Sequence, residues 1–582
     1  MSIIKTIEKE LKDKMLKLGY EVDNVTLAIS NRPDLGEYQL NDAFSLAKKY
    51  HKNPREIAEN IKRELDSDKT FQNVNIAGAG FINISLSNDY LVEALNKINN
   101  DIYEDIDKLP KKKVILDYGG ANVAKTLHVG HLRSANLGEA LKRLGNLLGY
   151  EMIGDAHLGD FGRPIGFVML ELKKRYPDLG FFDENYPGDY NDIELPIDEK
   201  DLETIYPEAS AKAKEDEEYL EEGREMTLNF QKRLPGYYEL SKKIVELSKK
   251  DIKKMYDLLN VHFELWLGES DAVQYVDELE EIFEKNNALI DSEDAKIIEV
   301  KEDTDKAPMP PLIFTRSNGT ISYETTDLAT ILQRKKDYDP DEIWYLVDER
   351  QHLHFDQVFR AARKVKLVSD ETNLEFIGFG TMNGKDGKPF KTRSGGVMSL
   401  KELIKLVNEE TLKKITNESL SEEEKKEISQ TVAIAALKYA DFLPFRGKDY
   451  IFEVEKFADL EGKTGPYLLY STIRMKSLLN KCKDLKQDTL KTISSQSEKD
   501  IALTILNLPN ILTKSLEVRS LNDIADYLYK LTSQYNKFYS ENIIISEQDP
   551  IKQESWLVLT NLVYKINMLL LDTLGIKVPE KM

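Results

Sequence analysis

His128 and His131 stand either side of Gly130 in an H-x-G-H arrangement, within residues 111–150. Ahead of them, Val114-Ile115-Leu116 is a short apolar run ending in Asp117-Tyr118-Gly119-Gly120, the pattern of a buried strand meeting a turn. Behind them, Leu137, Leu141, Leu144 and Leu148 recur on one face of a helix that Gly149 stops. A strand, a small-residue turn and a helix start form a ready phosphate site, because the first N–H groups of a helix are unpaired and carry partial positive charge. Two imidazoles there add directional donors. The chemistry this stretch suits is stabilisation of a nucleotide's phosphates as negative charge develops on them. Two plainer uses compete. The histidines could cap or pack the helix, and H-x-x-H could begin a metal site, although no further ligands lie nearby.

Other stretches have chemistry to offer. Gly154-Asp155-Ala156-His157-Leu158-Gly159-Asp160-Phe161-Gly162 concentrates glycine, Asp and His in one loop, as close approach to a ligand requires, although an ordinary turn would read the same. Residues 380–396 hold four cations and five glycines, which suits a mobile phosphate clamp or a solvated hairpin. Glu269 and Asp327 are carboxylates that, taken as isolated residues, read as surface acids or packed polar groups. Tyr323 precedes Asp327 by four residues and shares its face if that stretch is helical. Gly462-Lys463-Thr464 ends like a Walker A loop, but Phe457 holds the position where that loop needs glycine.

The elements that must position these residues fall into three regions. Residues 1–108 read as a separate α+β module: an amphipathic first helix, helices at 43–50 and 55–64, and paired strands about Gly78-Ala79-Gly80. Residues 109–410 mix strands and helices as an α/β domain does, with a charged helical insertion near 180–250. Residues 411–582 are almost wholly helical, with Ser421 as an N-cap and helices expected over 501–516, 521–539 and 553–574. A length of 582 residues allows several domains, and 41% hydrophobic with 31% charged residues fits a globular protein. The single cysteine, Cys482, excludes an internal disulfide and any cysteine-built metal cluster, and suits a reducing cytoplasm. No stretch reads as a signal peptide or membrane span. The net charge of −21 argues mildly against nucleic acid and works against non-specific RNA binding, so any RNA-binding face must gather its cations locally.

The segment DYGGANVAKTLHVGHLRSA closely resembles the HIGH signature of class I aminoacyl-tRNA synthetases, and specifically of the arginyl-tRNA synthetases. GEYQLN, NPREIA and GAGFINISLS near the start, and YAD through GKTGPYLLY later, resemble that family's end domains. The resemblance implies a Rossmann-type class I catalytic domain with an insertion, an N-terminal domain contacting the tRNA elbow and a C-terminal anticodon-binding helix bundle. It implies a cytoplasmic monomer that joins L-arginine to tRNA(Arg) using ATP with Mg2+, with no protein-held metal. The catalytic charge falls to His128, His131, Lys391 and Arg393. Phe390-Lys391-Thr392-Arg393-Ser394 departs from the second class I signature, and in members with that departure Lys125, three residues before the first histidine, compensates. ATP contacts carry over to His128, Gly130, His131, Gly159, Asp160 and Lys391. Arginine contacts carry over to Asp117, Asn122, His157, Glu269, Tyr323, Asp327 and Gln351. RNA contacts carry over to Tyr38, Asn41, Tyr467, Tyr470, Arg474, Asn536 and Tyr539. Two other readings stand beside this one: a nucleotidylyltransferase sharing only the H-x-G-H site, and a non-catalytic tRNA-binding relative.

Overall fold

The computed structural model describes residues 2–32, 34–292, 295–317, 319–390, 398–486 and 488–582. The chain opens with α1 (Ile3–Lys17), β1 (Ala28–Ile29), β2 (Tyr38–Leu40), α2 (Asp42–Tyr50), α3 (Pro54–Leu65), β3 (Phe71–Ala77), β4 (Phe81–Leu86) and α4 (Asn88–Asn100). The four strands form an antiparallel sheet in the order β1-β2-β4-β3. Asn53 accepts from the Arg55 N–H to cap α3, and Pro54 takes the first-turn position where a missing N–H costs nothing.

A four-stranded parallel sheet follows, built from β5 (Lys113–Asp117), β6 (Glu151–Asp155) and two strands much later in the chain. α5 (Val129–Leu147) connects β5 to β6; between the two pairs lie α6 (Arg163–Arg175), the inserted helices α7 (Glu199–Glu215), α8 (Glu217–Gln231) and α9 (Pro235–Leu258), and the short α10 (Glu269–Ala272) and α11 (Val276–Lys285). The charged stretch expected to be helical thus becomes three helices, broken at Asp216, which caps α8, and before Pro235. A small antiparallel sheet, β7 (Ile290–Ser292), β8 (Ala295–Ile298) and β9 (Leu312–Arg316), precedes α12 (Tyr323–Tyr338). Then come β10 (Glu342–Asp348), α13 (His352–Lys364) and β11 (Asn373–Phe379). The sheet order is β11-β10-β5-β6. The chain therefore runs outward from β5 on one side and from β10 on the other. The crevice at the carboxyl ends of β5 and β10 is the switch point where open α/β sheets bind ligands.

The remaining elements are β12 (Met382–Asn383), α14 (Leu400–Lys414), α15 (Glu422–Phe442), β13 (Tyr450–Ile451), α16 (Val454–Phe457), α17 (Gly465–Lys481), α18 (Gln496–Leu506), α19 (Leu508–Glu517), α20 (Asn522–Glu541) and α21 (Pro550–Thr573). Ser421 caps α15 through the Glu424 N–H, as its position suggests. The helix expected over 501–516 is instead two, because Pro509 can sit only in a first turn and α19 restarts there. The N-terminal module packs on this helical region: Asn88 and Asn96 donate to the Ile493 and Leu490 carbonyls, and Lys499 pairs with Glu37 at 2.6 Å.

α5 lies at the centre. Gly138 lets it approach β5, since a Cβ there would meet the Tyr118 ring at 2.1 Å. Tyr118 cannot swing aside, because its hydroxyl donates to Glu139 and to the His262 carbonyl. Gly138→Ala should therefore destabilise the protein by about 1–3 kcal/mol, read as a lower urea midpoint with unchanged slope.

Candidate active site

Asp117 and Asp155 end β5 and β6 in register with one another. Two adjacent buried acids need a cation, and Arg334 from α12 supplies it: one guanidinium nitrogen lies 2.6 Å from Asp117 Oδ2 and 2.7 Å from Asp155 Oδ2. His157 Nδ1 stands 3.6 Å from Asp155. Burial opposes charge on that imidazole, but Asp155 and Asp117 outweigh it and raise its pKa to about 9. Among the described residues these two acids and His157 are close enough to hold a metal ion, yet Arg334 already bridges the carboxylates.

Above this layer is an open cavity of about 630 Å³. It gathers Asp117, Asn122, His128, Gly130, His131, His157, Gly159, Glu269, Tyr323, Asp327 and Gln351 from six separate stretches of chain. The histidines do cap α5. Gly130 N–H donates to His128 Nδ1, and His128 N–H donates to His131 Nδ1, both at 3.0 Å. Capping does not exhaust them. A neutral imidazole whose Nδ1 accepts must carry its proton on Nε2, so each ring keeps one N–H for a ligand. Burial, with the charge of Lys125, lowers His128; burial, with His128 beside it, lowers His131 to about 3. Both are therefore uncharged donors at neutral pH, and their rings pack 4.0 Å apart. The cap reading and the phosphate reading are compatible.

Across the cavity, Tyr323 and Asp327 lie one turn apart on α12, and Tyr323 is 65% exposed. Asp327 accepts from His354 Nε2 at 2.5 Å. Burial opposes charge on His354, and Asp327 beside it raises its pKa. Burial lifts Glu269 to about 7, with His157 opposing and Asp327 adding.

Several expected contacts fall elsewhere. Asp160 is buried away from the cavity, and its two oxygens accept from Ser270 N–H and Oγ at 2.8 and 2.7 Å. It fixes the start of α10, and so Glu269. Lys125 lies over the Tyr206 ring at 5.2 Å, in an adjoining cavity of about 460 Å³ shared with Arg163 and Lys214. Lys391 and Arg393 lie outside the described residues. Tyr38 is a core side chain, 4% exposed, which leaves Asn41 as the open position of that pair. Arg334 and His354 have no role in the sequence reading, and Asp155 enters it only as part of its glycine-rich loop. Arg334 reads there as one of three basic residues ending a helix, and only burial distinguishes it.

Residues 91–454 match the family model for the catalytic domain of class I (R) tRNA synthetases. Residues 1–86 match the arginyl-tRNA synthetase N-terminal domain, and 468–582 the DALR anticodon-binding domain. The chain belongs to the class I arginyl-tRNA synthetase family. Arginine–tRNA ligases from Alkaliphilus oremlandii (strain OhILAs) and Francisella tularensis subsp. novicida (strain U112) are 42% and 40% identical to this synthetase, with both chains covered in full. The crystal structure of arginyl-tRNA synthetase from Plasmodium falciparum superposes with a TM-score of 0.80 at 25% identity, covering 100% of this chain and 99% of that one. The Thermus thermophilus arginyl-tRNA synthetase gives 0.79 at 20% identity with both chains fully covered, a likeness of fold.

The synthetase's helical region also joins four of the five side chains expected to meet RNA there. Arg474 donates to Asn536 at 2.6 Å and lies over the Tyr539 ring at 4.7 Å; Asn536 donates to the Tyr467 hydroxyl at 2.8 Å. Tyr470, 45% exposed, follows Tyr467 by one turn of α17.

The Glu269 carboxyl sets a pH dependence. A raised pKa leaves it partly protonated below about 7, and a guanidinium needs the carboxylate. The arginine KM should fall as pH rises from about 6 to about 8, and the trend should flatten in Glu269→Gln. An equally steep trend in that variant would remove Glu269 from the binding site.

Proposed function

We propose that this chain is an arginine–tRNA ligase whose arginine pocket is the cavity at the strand ends. A carboxylate oxygen of arginine attacks the α-phosphorus of ATP, forming arginyl-adenylate and releasing pyrophosphate. The 2′-hydroxyl of the tRNA's terminal ribose then attacks the adenylate carbonyl, and AMP leaves. The observation that carries this reading is one cavity holding two kinds of group: the His128 and His131 donors at a helix start, and the Glu269 and Asp327 acceptors opposite. The first suits a phosphate and the second a guanidinium. A generic nucleotidylyltransferase has no need of the second, and a non-catalytic relative no need of either.

The histidines would stabilise charge by donation and positioning, with no covalent enzyme intermediate. With each Nδ1 taken up by a backbone N–H, each ring would present its Nε2–H to the phosphates. Asp117, Asn122, His157, Tyr323 and Gln351 would orient arginine's backbone end and stem. Mg2+ would be held mainly by the nucleotide phosphates, and Lys391, Arg393 and Lys125 would share the remaining positive charge. Tyr467, Tyr470, Arg474, Asn536 and Tyr539 offer stacking and polar edges to unpaired bases. The same reading makes 1–108, 109–410 and 411–582 the elbow-contacting, catalytic and anticodon-binding units of a cytoplasmic monomer. No helix among the described residues is long and apolar enough to cross a membrane.

The decisive assay is charging of purified tRNA with a panel of amino acids and ATP. Arginine alone should be attached; no arginine-dependent charging would defeat the proposal. Losing one charge-assisted hydrogen-bond acceptor costs about 1.5–3 kcal/mol, so Asp327→Ala should raise the arginine KM about 10- to 100-fold and leave the ATP KM within about twofold. Arg474→Ala should instead raise the tRNA KM by about tenfold and spare the arginine KM. Unchanged tRNA kinetics would take the α17–α20 face out of RNA binding.

A further inference from the structure

We infer that Arg133 is a positioning residue: it fixes the distance between the His128–His131 pair and the root of the basic stretch at residues 380–383, and Asp441 holds it in place. The inference rests on the adenylate-forming reading of the site.

Arg133 follows His131 by two residues on α5, yet it faces away from the cavity and is 1% exposed. Its guanidinium reaches three other places in the chain. Nε donates to Asp441 Oδ1 at 2.8 Å, and Nη1 donates to the Gly380 carbonyl at 2.8 Å and the Lys448 carbonyl at 3.0 Å. The group lies over the Tyr450 ring at 5.0 Å. Asp441, itself buried, takes a further bond from Asn136, one turn along α5.

Gly380 is the root of the basic loop, and that root is sewn to residues 446–452. Gly380 N–H donates to the Arg446 carbonyl, Thr381 N–H to Asp449 Oδ1, Tyr450 N–H to the Thr381 carbonyl and Phe452 N–H to the Asn383 carbonyl. The far end of the loop is fastened to the histidine turn by backbone alone. Val129 N–H donates to the Met398 carbonyl at 3.3 Å, and Leu400 N–H to the Leu127 carbonyl at 2.9 Å. Phe390 and Met398 are bonded to each other at 3.2 Å. The described residues on either side, Gly380 and Met398 to Leu400, are therefore each tied to α5 or to the turn before it. At one end the attachment is a peptide ladder; at the other the contact from α5 is the Arg133 side chain.

A simple stabilising pair is a weak explanation of this arrangement. Burying an ion pair gains little net stability, because desolvation offsets the attraction, whereas such a pair does fix geometry. Three bonds from one planar fork also demand arginine: a lysine ammonium carries the charge without the fork. Asp441 lies on α15, so movement of that helix or of the 446–452 segment would reach the loop root through this guanidinium.

The test compares Arg133→Lys and Asp441→Asn with the wild-type chain in arginine-dependent ATP–pyrophosphate exchange, with tRNA present, alongside thermal melts. A displacement near 1 Å can cost about 100-fold in rate, so kcat should fall about 10- to 100-fold and the ATP KM should rise. The arginine KM should stay within about twofold, because α10 and α12 are untouched. The double variant should be no slower than the slower single one, since both changes release the same contact. Asp449→Ala guards against misfolding: it removes one exposed bond to the loop root and should give the same split, less severely. Folded variants that keep kcat within about twofold overturn the inference, as does a fall in kcat that merely tracks the unfolded fraction and leaves the ATP KM unchanged. Absence of arginine-dependent exchange in the wild type would instead overturn the ligase reading.

Discussion

Polar groups buried along the central helix decide where everything else sits. Ser134 takes the Gly119 N–H and donates to the Leu346 carbonyl, tying α5 to the turn after β5 and to β10. Glu139 accepts from Tyr118, His262 and Arg143, and Lys142 pairs with Glu264. A buried polar group left without its partner costs about 1–3 kcal/mol, so α5 cannot turn or slide without losing several such bonds at once. Its N-terminus is thereby fixed at the switch point of the sheet. The capping histidines, which must sit where the helix begins, inherit that position.

The second constraint is charge. The chain is strongly acidic overall, and its cavity concentrates acids at the ends of two strands and on α10 and α12. These acids are met from within the chain: Arg334 lies between Asp117 and Asp155, His157 beside them, and His354 on Asp327. On the opposite wall, burial keeps both histidines neutral, so they can donate to phosphate without adding positive charge that would have to be paired when the site is empty.

Much of the site was legible because its chemistry is local. The turn around Gly130, the glycine at 159 and the four-residue spacing of Tyr323 and Asp327 are short-range patterns, and each leads to one cavity. The misplacements share a cause. Asp160 and Tyr38 have the side chains a ligand would want, but both are buried in other work, one clamping Ser270 and one filling the N-terminal core. Arg334 errs the other way, looking like a solvated helix end while lying wholly buried beneath the pocket.

Sequence alone determined the classes of element and a helix start whose unpaired N–H groups suit a phosphate, because periodicity and motif spacing are properties of neighbouring residues. Tertiary structure decided which of those acids face one another, which cation answers each, and that Lys125 lies against Tyr206 in the adjoining cavity. It also brought Asp441, Gly380 and Lys448 to one guanidinium, from positions 247 to 315 residues away. Such partnerships depend on burial and long-range packing, and no spacing along the chain encodes them.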